Sequence, residues 1–369
     1  MAKGESLADQ LFNRDTVGQL AAQFDGAFDT DAFVRDVIVD LHDLELKARI
    51  NHIAAILAGY LPQDFEVAAK VIHNALPAPL NPDLTDDDFG SFIYAALGVF
   101  VEKQGLEDHV STSLDLLEAL TMRFSMEFSI RAFLNADQAQ TMARVQAWTK
   151  HTNYHVRRLA SEGTRPRLPW GQNVGLTVAD TLPVLDALHA DPTRFVTRSV
   201  ANHLNDIAKI DPDSVIDRLE HWQSLGRQSV KELNWMRKHA LRSLIKSGHP
   251  RAMIHLGYRP DVKITAPKIT VPMQISMRDK VAVDVIFTPK DTAPLIVDYV
   301  IDFVKSNGTT APKAFKLKSL NAKADVPVAV SKTHFFDLTA STRRLYAGAH
   351  RIHLQINGRI IASQDFTLT

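Results

Sequence analysis

Three stretches decide the fold: HVRRLASEG at 155–163, FVTRSVANH at 195–203 and WMRKHALRS at 235–243. Their offsets are 40 and 40 residues, and each is followed by a loop and a second helix-like segment. Val156, Val196 and Met236 fall in equivalent positions, as do Arg158, Arg198 and Lys238, then Ala160, Val200 and Ala240. Forty residues with two helices per unit is the period of HEAT-type α-solenoids. A single pair cannot bury its apolar face, so successive pairs stack and share one core. Stacking makes equivalent positions neighbours, which predicts a basic row of Arg158, Arg198 and Lys238, with Arg157, Arg237 and Arg242 nearby. Such a row suits a phosphate backbone through salt-sensitive contacts. The competing reading is a set of solvated helix faces.

Working toward the N-terminus, helical texture continues from Tyr258 back to Ser6. In LHDLELKARINHIAAILAGYL (41–61) the apolar residues Leu41, Leu44, Leu46, Ile50, Ile53, Ile56 and Leu57 recur near helical spacing, and Gly59 and Pro62 mark the end. Residues 86–103, 112–122, 137–149, 194–208, 213–224 and 231–246 read the same way. Asp137, Thr193, Asp211 and Asp213 are candidate N-cap or first-turn residues. Gly248 closes the 231–246 helix, with Pro250 beyond it.

After Lys263 the texture changes to short runs rich in Val, Ile, Phe and Thr: ITVPMQISM, KVAVDVIFT, LIVDYVIDFVK, APKAFKLKSL, HFFDLTA, HRIHLQING and RIIASQDFTLT. Asn357-Gly358 between two such runs signals a tight hairpin. LIVDYVIDFVK is long enough for a helix, but its β-branched content favours a strand. About seven strands over ~105 residues fit an immunoglobulin-like sandwich, without its Cys-Trp-Cys signature. The fold expected is therefore an all-α HEAT-like solenoid over 1–260, followed by an all-β immunoglobulin-like sandwich over 264–369.

Composition narrows the chemistry. The 369-residue chain has 42 Lys+Arg, 42 Asp+Glu and no cysteine. That excludes disulfides, thiolate metal sites, iron–sulfur clusters and a cysteine nucleophile. P-loop, dinucleotide-binding and GxSxG motifs are absent. No run of 18 apolar residues suggests a membrane span, and the start lacks signal-peptide character, so a soluble cytoplasmic protein is expected. Zero net charge conceals segregation. Residues 1–122 carry 7 basic and 21 acidic side chains, residues 123–263 carry 21 and 13, and residues 264–369 carry 14 and 8. The two basic regions suit a polyanion; the acidic third does not. His151 and His155 have metal-ligand spacing, but Asn153 argues against one continuous helix, and no metal is expected.

Three segments are dense in functional residue types. In RFSMEFSIRAFL (123–134), Glu127 lies four residues from both Arg123 and Arg131, which a helical ion-pair network would also explain. In HVRRLASEGTRPRLPWGQN (155–173), Arg157, Arg158, Glu162, Arg165, Arg167 and Trp170 crowd a loop broken by Gly and Pro; aromatic and arginine residues together suit a base or sugar. In SVANHLNDIAK (199–209), Asn202, Asn205 and Asp206 lie beside the basic row, and Asp206 is too far inside the helix to cap it.

RFSMEFSIR, HVRRLASEGTRPRLPW, RSVANHLNDIAK and WMRKHALRSLIKSGHP resemble the AlkC branch of the HEAT-like bacterial DNA glycosylases, across the whole helical region. A subset of that branch carries a C-terminal immunoglobulin-like domain. The resemblance implies excision of cationic alkylated bases such as 3-methyladenine and 3-methylcytosine from duplex DNA, without flipping the base into a deep pocket and without a cofactor. It places Glu127, Glu162, Trp170 and Asp206 at the lesion. Glu127 and Asp206 would stabilise charge or position water, Glu162 would join them or hold Arg158 or Arg165, and Trp170 would touch sugar or base. Arg157, Arg158, Arg165, Arg167, Arg198, Arg237, Lys238 and Arg242 would hold DNA, with the sandwich reaching the duplex from another side. The expectation is a monomeric bacterial enzyme with no obligate protein partner. The rival reading is a non-catalytic lesion-binding or protein-interaction scaffold.

Overall fold

The structure, a computed structural model, describes residues 6–86, 88–338 and 344–369. Helices occupy the chain from Leu7–Leu11 to Pro250–His255, and strands begin at Ile264. Two compact units result. One comprises the chain up to Ile207 together with Leu225–Glu232; the other comprises Ala208–Ser224 and Leu233–Thr369. The second unit thus combines the last helices with all the strands.

In the first unit peripheral helices bury one apolar stripe, whereas central ones such as Arg194–Ile207 are buried nearly all round. Ile53, Leu57, Leu97, Leu117, Phe133, Trp148, Leu159, Val196 and Leu204 are among the residues removed from water. The helices Tyr154–Glu162 and Arg194–Ile207, which carry the first two repeat copies, pack against each other. The Ser161 and Ser199 hydroxyls meet at 2.9 Å between them. The third copy begins on Val230–Ala240, runs into Arg242–Ser247 and falls in the second unit. Asp137 caps Gln138–Trp148 as expected, accepting from the Gln140 amide.

Local chemistry overrides helical texture in several places. Helix in the 86–103 segment begins only with the 3-10 turn Phe92–Tyr94 and Ala95–Gly105. Before it, Gly90 takes a left-handed φ of +70° and lies so close to Arg123 that a Cβ would collide with that residue's carbonyl. Residues 123–129 form turns rather than helix, which starts at Ile130. The 231–246 segment breaks at Leu241 into Val230–Ala240 and Arg242–Ser247. Asp206 sits in the last turn of its helix, not well inside it.

Eight strands are present among the described residues: β1 Ile264–Thr270, β2 Gln274–Ile275, β3 Lys280–Pro289, β4 Ala293–Val304, β5 Thr310–Ala322, β6 Val328–Phe335, β7 Gly348–Ile356 and β8 Arg359–Leu368. They form a three-stranded sheet, β1-β3-β6, and a five-stranded sheet, β2-β8-β7-β4-β5. Phe287, Leu295, Val297, Tyr299, Ile301, Phe336, Leu354 and Phe366 share the core. β4, the run that resembled a helix in length, is buried on both faces, which explains its near-continuous apolar sequence. Asn357 and Gly358, at φ +44° and +81°, turn β7 into β8 as the dipeptide predicts. Gly358 also lies against Gly248, the left-handed residue ending Arg242–Ser247; a Cβ on either would strike the other's backbone.

Candidate active site

The functional side chains of the first unit form one line of alternating charge. Arg158 and Glu162 stand one turn apart on Tyr154–Glu162, and Arg165 follows in the loop. Arg165 donates to Asp206 Oδ2 through Nη2 at 2.8 Å and Nε at 3.0 Å, and to Glu162 Oε1 through Nη1 at 2.6 Å. Arg158 lies 3.7 Å from Glu162 Oε1 and donates to Glu127 Oε2 at 2.7 Å. The order is Asp206, Arg165, Glu162, Arg158, Glu127: three carboxylates, two guanidiniums and a net formal charge of −1.

Burial makes this arrangement consequential, because charge interactions strengthen where water is excluded. Side-chain exposure is 4% at Asp206, 6% at Glu162 and 15% at Glu127. Burial alone would raise Glu162, but the charges of Arg158 and Arg165, with hydrogen bonds from Ser199 and Arg165, outweigh it and hold the carboxyl below its ordinary value. Glu162 is compensated by an arginine on either side. Ser199 donates to its Oε2 at 2.6 Å. Glu162 therefore holds both arginines rather than one.

Glu127 differs. Its Oε2 accepts from Ser125 at 2.8 Å and from Arg158, while its Oε1 accepts no hydrogen bond from any described residue. The helical i, i+4 pairing expected with Arg123 and Arg131 does not form, because residues 123–129 are not helical. Arg123 instead donates to the carbonyls of Pro77 and Ala119. Arg131, fully buried, donates to the carbonyls of Gly163, Arg165 and Gln172, at 2.9, 2.9 and 2.5 Å. Burial and the nearby Arg165 charge lower it to about 10. It staples the loop that carries Arg165 and Trp170.

Trp170 projects from that loop, 57% exposed, with its backbone in the left-handed region at φ +67°. A bulky residue adopts that conformation only at a cost of about 1–3 kcal/mol, met by the surrounding structure. Lys47 contributes by donating to the Trp170 carbonyl at 2.6 Å. Trp170, Ser125, Phe92, Phe124 and Phe128 line a cavity of about 300 Å³, which therefore shares Ser125 with the carboxylate line.

The basic residues separate into three groups. Arg157, Arg158 and Arg165 are engaged inside the first unit; Arg157 pairs with Asp191 at 2.5 Å, and Arg158 stacks 4.4 Å over the Phe195 ring. Arg198 pairs with Asp86, so the acidic N-terminal third supplies its partner. Arg167 is exposed. In the second unit, Arg237 donates to His255 Nε2 at 2.8 Å, whereas Lys238 and Arg242 line a pocket of about 340 Å³ with Lys246, Lys316 and Asp298. Burial raises Asp298 to about 6 against the pull of Lys316, Lys246 and Lys332.

Sequence reasoning missed Ser125, Ser199, Arg131 and His203. Ser199 lies seven residues before Asp206, two turns along one helix face, and that spacing was available. His203 is wholly buried, with Nδ1 3.0 Å from the Ser161 carbonyl, and burial lowers it to about 4. His151 and His155 do not share a helix; Asn153 caps the one that begins at Tyr154.

The chain is a helical domain with a buried line of carboxylates and arginines, followed by a β-sandwich, and its fold is shared with DNA-repair enzymes among known proteins. Residues 63–244 match the family model described as DNA alkylation repair enzyme, and residues 263–369 match that of the C-terminal Ig-like domain of the uncharacterised protein YhaZ. The uncharacterised protein YhaZ of Bacillus subtilis (strain 168) is 31% identical over 97% of this chain and 98% of its own. Pseudomonas fluorescens alkylpurine DNA glycosylase AlkC, solved bound to DNA containing an abasic site analog, is 32% identical, with a TM-score of 0.85 over 99% of this chain and 100% of its own. The chain belongs to the AlkC branch of the DNA alkylation repair glycosylases, with the C-terminal immunoglobulin-like domain. It is a DNA glycosylase.

Proposed function

We propose that this glycosylase hydrolyses the N-glycosidic bond of cationic alkylated bases, 3-methyladenine and 3-methylcytosine, in duplex DNA, without first extruding the base. Alkylation at N3 makes the base a cation. As the C1′–N bond breaks, its electron pair returns to the ring and neutralises the base, while positive charge develops on the sugar. Water adds to C1′ and gives up a proton. The carboxylates of Glu127, partly exposed, and Asp206, buried, favour the developing oxocarbenium ion and orient that water. Trp170 offers a π-face to the same charge, worth about 0.5–2 kcal/mol.

The observation that carries this reading is the open Oε1 of Glu127. Its partner oxygen is fixed by Ser125 and Arg158, so the free oxygen is held ready for water or sugar. Duplex phosphates would be held by exposed cations such as Arg167 and Lys238. The test is release of 3-methyladenine and 3-methylcytosine from methylated duplex DNA by wild type, Glu127→Gln and Asp206→Asn. Release by wild type and its loss in the folded variants is expected. Release untouched by both substitutions overturns the carboxylate roles, and no release by wild type overturns the substrate assignment.

A further inference from the structure

The cavity beside Trp170 contains a group that the excision chemistry does not use. Glu102, on Ala95–Gly105, lines it and is half-buried, and it makes no hydrogen bond or ion pair with any described residue. Burial raises its carboxyl above the ordinary range, against the pull of the adjacent Lys103. The rest of the wall is largely apolar and aromatic, with Phe92, Phe124, Phe128 and Trp170 around about 300 Å³. That is the small end of the range for ligand sites, about 300–1,000 Å³. Aromatic faces with one unpartnered carboxyl form a complementary set for a flat heteroaromatic that presents N–H donors beside ring nitrogens.

The position narrows the occupant. Ser125 belongs to both the cavity wall and the carboxylate line, donating to Glu127 while it faces the cavity, and Trp170 belongs to the cavity and the candidate lesion contact. A molecule entering from the lesion side has the shortest route if it is the base just cut from its sugar. The freed purine is neutral, flat and rich in edge donors and acceptors.

We propose that this cavity is a holding site for the excised alkylated purine, with Glu102 reading its amino and ring-nitrogen edge after the bond is cut. The proposal rests on the glycosylase reading above and adds a product site to it. Glu102 accepts from the exocyclic N–H when ionised and donates to a ring nitrogen when protonated, so it serves the base in either state. Occupancy keeps the freed base away from the new abasic sugar and makes the enzyme sensitive to its own product.

The experiment measures binding of free 3-methyladenine to the full chain by calorimetry, with adenine as comparison, alongside single-turnover excision from methylated DNA. Wild type should bind 3-methyladenine and be inhibited by it. Glu102→Gln should weaken binding about tenfold, and Val99→Trp, which fills the cavity from its wall, should abolish it. Both variants should keep the wild-type single-turnover rate. Absence of binding to wild type overturns the proposal, as does a fall in single-turnover rate that tracks the loss of binding, since the cavity would then serve bond cleavage itself. Binding of free base by a wild type that excises nothing overturns the glycosylase reading and leaves the cavity's ligand class standing.

Discussion

The carboxylate line of the first unit and the cationic pocket of the second solve opposite problems with the same residue types. In the line, two arginines lie among three carboxylates, and every buried charge has an opposite neighbour. In the pocket, Lys238, Arg242, Lys246 and Lys316 share a wall with one buried carboxyl, Asp298, which burial raises to about 6. Arginine's planar fork suits the first, where it must bond two carboxylates at once. Lysine dominates the second, where charge is presented to solvent. Basic residues that look alike in sequence therefore divide into those that hold an anionic centre and exposed lysines, Lys238, Lys246 and Lys316, that present charge to solvent.

Substitutions break that contrast in order of expected effect. Arg165→Met strips Glu162 and Asp206 of the cation they share and leaves Arg158 as the remaining guanidinium of the line. The expected loss is about 3–5 kcal/mol, read from urea unfolding monitored on the first unit. An unchanged midpoint would show that Arg158 alone can serve the line.

His203 comes next. Its folded pKa of about 4 lies below the 6.5 of an unfolded histidine, so the unfolded chain takes up the proton first as pH falls. Its contribution is complete above pH 6.5 and declines toward pH 4, by up to about 3 kcal/mol. Thermal unfolding between pH 7 and 4 should be visibly less acid-sensitive in His203→Gln. Equal acid slopes in variant and wild type would remove this buried imidazole from the account.

Asp298 has the opposite sign. Its folded pKa of about 6 exceeds the unfolded 3.8, so the folded state keeps its proton longer, and a penalty grows from pH 4 to pH 6 and persists above. Asp298→Asn should stabilise the second unit by up to about 3 kcal/mol at pH 8 and have no effect at pH 4. Destabilisation at pH 8 would mean that the carboxylate is held by the lysines more strongly than burial repels it. The smallest effect belongs to those lysines. Lys316→Gln should lower the slope of log affinity against log salt for duplex DNA by about 0.9, the share of one phosphate. An unaltered slope would take Lys316 out of contact with the backbone.

Sequence patterning reached the fold because repeats and strands are written in apolar spacing, which tolerates local detail. The 40-residue register placed Arg158 and Arg198 in equivalent positions, and the Asn357-Gly358 turn was readable from two residues. Site partners were less legible. Glu127 has arginines at helical spacing on both sides, yet a turn redirects it to Arg158, 31 residues away. Arg198 finds Asp86 across 112 residues, in the acidic third that looked remote from the basic region. Register says which positions repeat; it does not say what a neighbouring loop brings to them. The left-handed backbone of Trp170 has no sequence signal either, since distant residues such as Arg131 and Lys47 help hold it there.

The meeting of Gly248 and Gly358 bears on how this architecture can be divided. A designer who trims the chain where helical texture stops, between His255 and Ile264, would separate two surfaces that fit only because neither has a side chain. The isolated sandwich would keep a hairpin shaped to a missing helix end. The part that keeps this contact intact is the sandwich together with the helical segment that ends at Gly248.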